Sequence, residues 1–122
     1  MDLSKKILII DDDTRNIFAL TAVLKAKGYT IISATSAKDG IVALSNSDVG
    51  IVLLDMMMPE MDGYETIQTI RQSEYKSIPI VAVTAQAMVG DREKCIQAGA
   101  DGYLSKPVDV DELNKLLTQF LK

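Results

Sequence analysis

The sequence predicts an α/β domain built on one doubly wound, five-stranded parallel sheet, and three observations carry that prediction. Short β-branched or Leu-rich runs alternate five times with longer helical patterns. The runs Ile7 to Ile10 and Ile51 to Leu54 are almost continuously apolar, as expected of strands covered by helices on both faces. No low-complexity linker interrupts the alternation, so residues 1–122 read as one domain.

In chain order the strands are Lys6 to Ile10, Thr30 to Ala34, Gly50 to Leu54, Ile80 to Thr84 and Gly102 to Leu104. The helices fall at about Thr14 to Lys27, Ala37 to Ser45, Gly63 to Ser73, Gly90 to Ala98 and Val110 to Leu121. Asp62 with Glu65, and Asp109 with Glu112, place an N-cap acceptor three residues before an acid, the spacing of a capping box. Gly28 and Gly99 can take the left-handed conformation that closes a helix before the next strand. Five successive βα units imply right-handed crossovers, and open sheets of this kind bind ligands outside the carboxyl ends of their strands.

Composition narrows the chemistry. With 122 residues the chain can bury a core without disulfides, and Cys95 is its only cysteine. Cys95 reads as a semi-buried helix residue, the alternative being a redox role. A formal charge of -4 argues against nonspecific nucleic-acid binding, which needs a basic face. No apolar run is long enough to span a membrane, and the polar start Met1 to Lys6 leads into only four apolar residues, too few for a secretory signal. A cytoplasmic location is therefore expected. There is no histidine, which excludes a Ser/His/Asp triad, a histidine metal ligand and an internal phosphohistidine.

Polar residues gather at the strand ends. Asp11, Asp12 and Asp13 follow the first strand, Asp55 follows the third, Thr84 closes the fourth, and Lys106 lies just past the fifth, before Pro107. Taken singly, each has a plain reading: Asp as a turn former or N-cap, which suits Asp13; Thr84 as a strand residue; Lys106 as a solvated charge. Taken together on one rim, acid, hydroxyl and ammonium make a phosphoryl-transfer site. Clustered carboxylates repel one another unless a cation is present, and hard oxygen ligands suit Mg²⁺ or Mn²⁺.

The segments ILIIDDD, LLDMMMPEMDG, VTA and GADGYLSKP, in that order and covering the chain, resemble the CheY-like receiver (response-regulator) family of two-component signalling. The resemblance implies the flavodoxin-like strand order 2-1-3-4-5. It makes Asp55 the phosphoacceptor, and Asp11 and Asp12 the acidic pair that holds Mg²⁺ together with Asp55 and the Met57 carbonyl. Thr84 matches the switch hydroxyl, Lys106 the lysine that contacts the phosphoryl group, and Tyr103 the aromatic that swings inward. The Lys106 to Pro107 bond would be cis. It implies a phosphoacceptor that catalyses its own phosphorylation and dephosphorylation rather than an enzyme acting on a separate substrate. It also implies a histidine kinase or histidine phosphotransfer protein as donor, a downstream target, and a monomer before phosphorylation. ALTAVLKAKGY and AQAMVGDREKC resemble receivers attached to hybrid histidine kinases or acting in phosphorelays.

Other classes fit less well. A haloacid-dehalogenase-type phosphatase needs a second acid two residues after its nucleophile, where this chain has Met57. A flavodoxin-like nucleotide or flavin binder needs a phosphate cradle after the first strand, and DDDTRN is acidic there. A receiver-shaped interaction module without phosphorylation would have no need of the full set of site residues.

Two further features bear on partners and lifetime. The run Ile17, Phe18, Ala19, Leu20, Ala22, Val23, Leu24 is apolar around more of the helix than one core stripe requires. One edge is expected to stay exposed beside the acidic pocket, so that Phe18 or its neighbours Asn16 and Ala19, with the Pro107 to Asp109 loop, contact the donor's helix; the alternative is a broad core face. Met57 and Gln86 flank the pocket, Met57 either covering a phosphoryl group against water or pointing outward to a partner, and Gln86 able to orient a water.

Overall fold

The computed structural model describes residues 5–46, 48–59, 62–85 and 88–121. The alternation is realised as β1 (Lys6–Ile10), α1 (Thr14–Ala26), β2 (Thr30–Ala34), α2 (Ala37–Asn46), β3 (Val49–Asp55), α3 (Gly63–Arg71), β4 (Ile80–Thr84), α4 (Asp91–Ala98), β5 (Gly102–Ser105) and α5 (Val110–Phe120). All strands are parallel, in the order β2-β1-β3-β4-β5. The reversal of direction in strand order lies between β1 and β3, which pair from Ile7 opposite Ile51 to Ile10 opposite Leu54.

Helix boundaries follow their caps. Asp13 accepts from the Arg15 amide, Asp62 from that of Glu65, and Asp109 from those of Asp111 and Glu112. Gly28 and Gly99 stand at φ 96° and 121°, where a side chain would be strained. Gly90 is also left-handed, at φ 85°, and so stays outside α4, which starts at Asp91, one residue later than the sequence suggests. β3 extends one residue further at each end than expected and takes in Asp55, paired with Val83.

Because strand side chains alternate, the apolar runs feed two cores. Leu8, Ile10, Val52, Leu54, Ile80 and Ala82 pack with α2, α3 and α4. Ile7, Ile9, Ile51, Leu53, Val81, Val83 and Leu104 pack with α1 and α5 through Leu20, Leu24, Leu113 and Leu117. Each Val, Leu or Ile among them contributes roughly 1.5–3 kcal/mol when fully buried. This explains why β1, β3 and β4 read as continuous runs: neither parity of these inner strands faces water.

The far end of the sheet is tied by Arg71. Its guanidinium donates to the carbonyls of Gly99, Lys76 and Ile78 and to Asp101, whose carboxylate also takes the Ile80 amide. Among the described residues no helix is long and apolar enough to cross a membrane.

Candidate functional site

The alternation that builds the two cores also sorts the polar residues at the strand ends. Asp11, Asp55 and Lys106 each lie two positions beyond a residue of the α1/α5 core, namely Ile9, Leu53 and Leu104. Thr84 follows Ala82 by two, and Tyr103 packs against the same α2/α3/α4 core. Thus Asp11, Asp55 and Lys106 gather on one side of the sheet rim, while Thr84 and Tyr103 belong to the other.

Asp55 ends β3, and the ladder continues past it through the Met56 amide bonded to the Val83 carbonyl at 2.9 Å. The Met57 amide turns back onto Asp55 Oδ1 at 3.0 Å. Asp11 and Asp55 are only 2% and 4% exposed, whereas Asp12 is exposed. One carboxylate oxygen from each of Asp11, Asp12 and Asp55 falls within 4.8 Å of the others. Asp11 is held from several directions: Oδ1 accepts the Asp13 amide, and Oδ2 accepts the Asn16 side-chain amide.

Lys106 completes the cluster, with Nζ 3.2 Å from Asp11 Oδ2 and 3.7 Å from Asp55 Oδ2. Its amide donates to the Thr84 carbonyl at 2.8 Å, which locks β5's end to β4's, and its peptide bond to Pro107 is cis. Burial pushes the Asp55 carboxyl up to about 6; the Met57 amide works against this, Asp11 adds to it, and Lys106 opposes it. Three hard oxygens converging from two strand ends suit a divalent oxygen-seeking cation. The donor set therefore fits Mg²⁺.

Asp11, Asp12, Asp55 and Lys106 come together at this rim with the Met57 amide on Asp55, whereas Tyr103 sits on the α4 side with its hydroxyl on Asp91 Oδ2 at 2.7 Å. Thr84 is buried at the end of β4. Met57 leaves half of its surface exposed, and Phe18 is 77% exposed, so the excess apolar character of α1 does leave an edge in solvent. Asn16, a neighbour of Phe18 on α1, turns its side-chain amide toward Asp11. Gln86 lies outside the described residues.

Comparison with known proteins decides the family. A model of the response regulator receiver domain matches residues 7–118. The chain belongs to the response regulator receiver domain family. Among curated proteins this receiver domain is similar to the sensor histidine kinase RcsC of Escherichia coli K12, at 38% identity over 93% of the chain and 12% of that protein. The chain thus spans about an eighth of the length of that relative. Among solved structures it is similar to a response regulator receiver protein from Pseudomonas putida, with 28% identity, 98% and 99% of the two chains covered and a TM-score of 0.89. It is also similar to the receiver domain of a sensor histidine kinase from Pseudomonas aeruginosa PAO1, solved with a magnesium ion coordinated in its active site cleft. There the identity is 32%, the coverage 97% and 98%, and the TM-score 0.86.

Two contacts of the receiver domain escape sequence reading. Asn16 is the third residue of α1 after its cap Asp13, a position whose side chain leans back over the preceding loop, so its reach to Asp11 had a local signal. The bond from Tyr103 to Asp91 had none, since nothing in the spacing couples β5 to the start of α4.

Proposed function

We propose that this receiver domain is a phosphoacceptor switch in which Asp55 takes a phosphoryl group from a phosphohistidine of a partner protein. The convergence of Asp11, Asp12 and Asp55 beside Lys106 carries the reading. A carboxylate oxygen of Asp55 attacks phosphorus, the P–N bond breaks, its electron pair returns to the imidazole, which takes up a proton, and an acyl phosphate remains on Asp55. Lys106 moves little to meet the new oxygens, being within 3.7 Å of the Asp55 carboxylate already. Asp11, Asp12, Asp55 and the Met57 carbonyl would hold Mg²⁺, or Mn²⁺ in its place, and the metal would neutralise charge on the transferring oxygens. The magnesium in the related Pseudomonas aeruginosa receiver supports this choice.

The acyl phosphate adds about 1.5 to 2 negative charges and strong acceptor oxygens, which Thr84 reaches as the end of β4 moves inward. Tyr103 then fills the space released, and the face around α4 and β5 changes for a downstream partner. The chain contains no histidine of its own, so a histidine kinase or a histidine phosphotransfer protein supplies the donor. Its likeness to a segment of RcsC suits either a stand-alone regulator or one module of a hybrid kinase. A reducing cytoplasm suits the single unpaired Cys95, and the unphosphorylated chain is read as a monomer.

The test is labelling with acetyl phosphate or a phosphorylated histidine donor. The expected result is one labelled residue, Asp55, only with divalent metal. Chelation by EDTA, Asp55→Asn, or Asn at both Asp11 and Asp12 should abolish the label, and wild-type labelling of Asp55→Asn refutes the assignment.

A further inference from the structure

One carboxylate outside the phosphoacceptor cluster has an arrangement that the reaction does not require. Asp91, the first residue of α4, accepts two phenolic hydroxyls at once: Tyr64 on Oδ1 at 3.0 Å and Tyr103 on Oδ2 at 2.7 Å. Tyr64 comes from the first turn of α3 and Tyr103 from β5. Both rings are half-buried against the α2/α3/α4 core. A single side chain therefore joins three elements.

The surroundings reinforce the junction. Lys94, one turn along α4, places its ammonium 4.9 Å from the centroid of the Tyr64 ring, and buried Cys95 lies 4.0 Å from the Tyr64 hydroxyl. An ionised carboxylate only accepts, so each phenol must donate, and bonds to a charged acceptor are stronger than neutral ones. Burial and the Asp91 carboxylate push both phenols above their ordinary range, Tyr103 to about 12, which keeps them protonated donors. Tyr103 also lines a groove of about 310 Å³ with Arg92, Leu104, Glu112, Lys115 and Leu116.

We propose that Asp91 is the positioning residue of the switch, and that through Tyr64 it makes α3 respond to the same event as α4 and β5. The inference rests on the phosphoacceptor reading of Asp55 and the mobile role of Tyr103. When Tyr103 turns away, Oδ2 loses its donor and Asp91 is held by Tyr64 alone. The start of α4 then pivots about the Tyr64 contact, and the altered surface runs from β5 across α4 to α3.

The experiment uses the chain with ¹³C at the ring Cζ of its four tyrosines, the resonances being assigned by Tyr→Phe variants. Without any phosphodonor, Tyr103→Phe should move the Tyr64 resonance and leave those of Tyr29 and Tyr75 in place, because one phenol now has the carboxylate to itself. A stationary Tyr64 resonance overturns the shared junction. Beryllofluoride with Mg²⁺, as a stand-in for the acyl phosphate, should move the wild-type Tyr64 resonance in the same direction, with no further movement in Tyr103→Phe. Movement of Tyr103 without Tyr64 overturns the coupling to α3.

Tyr64→Phe should speed hydrogen exchange of the amides of residues 91–98 by about tenfold, as loss of one charge-assisted bond predicts, while Asp55 labelling by acetyl phosphate keeps its rate. Unchanged exchange overturns the role of Tyr64. If beryllofluoride moves no tyrosine and acetyl phosphate leaves Asp55 unlabelled, the phosphoacceptor reading falls together with the response built on it. The unliganded Tyr103→Phe comparison still judges the shared carboxylate separately.

Discussion

Lys106 Nζ stands 3.2 Å from Asp11 Oδ2, an ion pair that joins the first strand's end to the fifth's across 95 positions of sequence. The same ammonium reaches Asp55 at 3.7 Å, so one cation serves two buried acids. Removing it leaves both carboxylates without their nearest compensation. Lys106→Met is expected to destabilise the chain by roughly 1–3 kcal/mol near neutral pH, and by less in an Asp55→Asn background. Urea denaturation of the four proteins of this cycle measures the coupling; strictly additive losses contradict it.

Stability should also depend on pH through Asp55. Its carboxyl is raised in the folded chain from 3.8 to about 6, so the folded state holds its proton more tightly than the unfolded state. The resulting stabilisation is complete below pH 4 and is lost as pH rises through about 6. With EDTA present, Asp55→Asn should exceed wild type by roughly 1–3 kcal/mol at pH 7.5 and lose most of that advantage at pH 4. A difference curve that is flat across this window contradicts the raised carboxyl.

Asn16 holds the oxygen of Asp11 that also meets Lys106. Groups that orient a metal ligand commonly matter almost as much as the ligand. Asn16→Ala should weaken Mn²⁺ binding about tenfold, read from the free-ion signal in electron paramagnetic resonance, without unfolding the chain. Wild-type affinity in Asn16→Ala removes the positioning role.

Phe18 exposes 77% of its surface on α1, the helix that also carries Asn16. Exposed aromatics beside a reactive site are frequent anchors for partners. Phe18→Ser should slow transfer from a phosphohistidine donor about tenfold, yet leave labelling by acetyl phosphate unchanged. Equal transfer rates for mutant and wild type end the docking idea, and equal losses with both donors point to a folding defect instead.

Met57 is tied to Asp55 by its amide while half of its surface is in solvent. An apolar chain there cannot orient the water that hydrolyses an acyl phosphate. Met57→Asn should shorten the lifetime of phosphorylated protein several-fold once donor is removed. A lifetime equal to or longer than wild type contradicts water exclusion and leaves Asp55 as acceptor untouched.

Much of the fold was legible because periodicity and capping are local. The Asp62 and Asp109 caps and the left-handed Gly28 and Gly99 each depend on a few neighbouring residues, and each stands where the sequence places it. Strand ends are less local: Asp55 belongs to β3 because Val83 on another strand pairs with it. The convergence of the acids was legible from topology, since parallel strands bring their carboxyl ends to one rim. What stayed hidden are side chains that act across elements. Arg71 donates to four separate residues of the loops at the far end of the sheet, and Asp91 binds phenols 27 and 12 positions away, with no spacing to announce either.

The one-residue alternation of the strands leaves Asp11 and Asp55 with α1 and α5, and Thr84 and Tyr103 with α2, α3 and α4. Under the proposed function the sheet becomes a partition between input and output. Substitutions on α1 would then retune which donor is accepted while the opposite wall keeps its message, and changes on α4 would recruit a new listener without altering who speaks to Asp55. Such insulation would let one scaffold be rewired in two independent directions, the two walls meeting at the rim where β1, β3, β4 and β5 end.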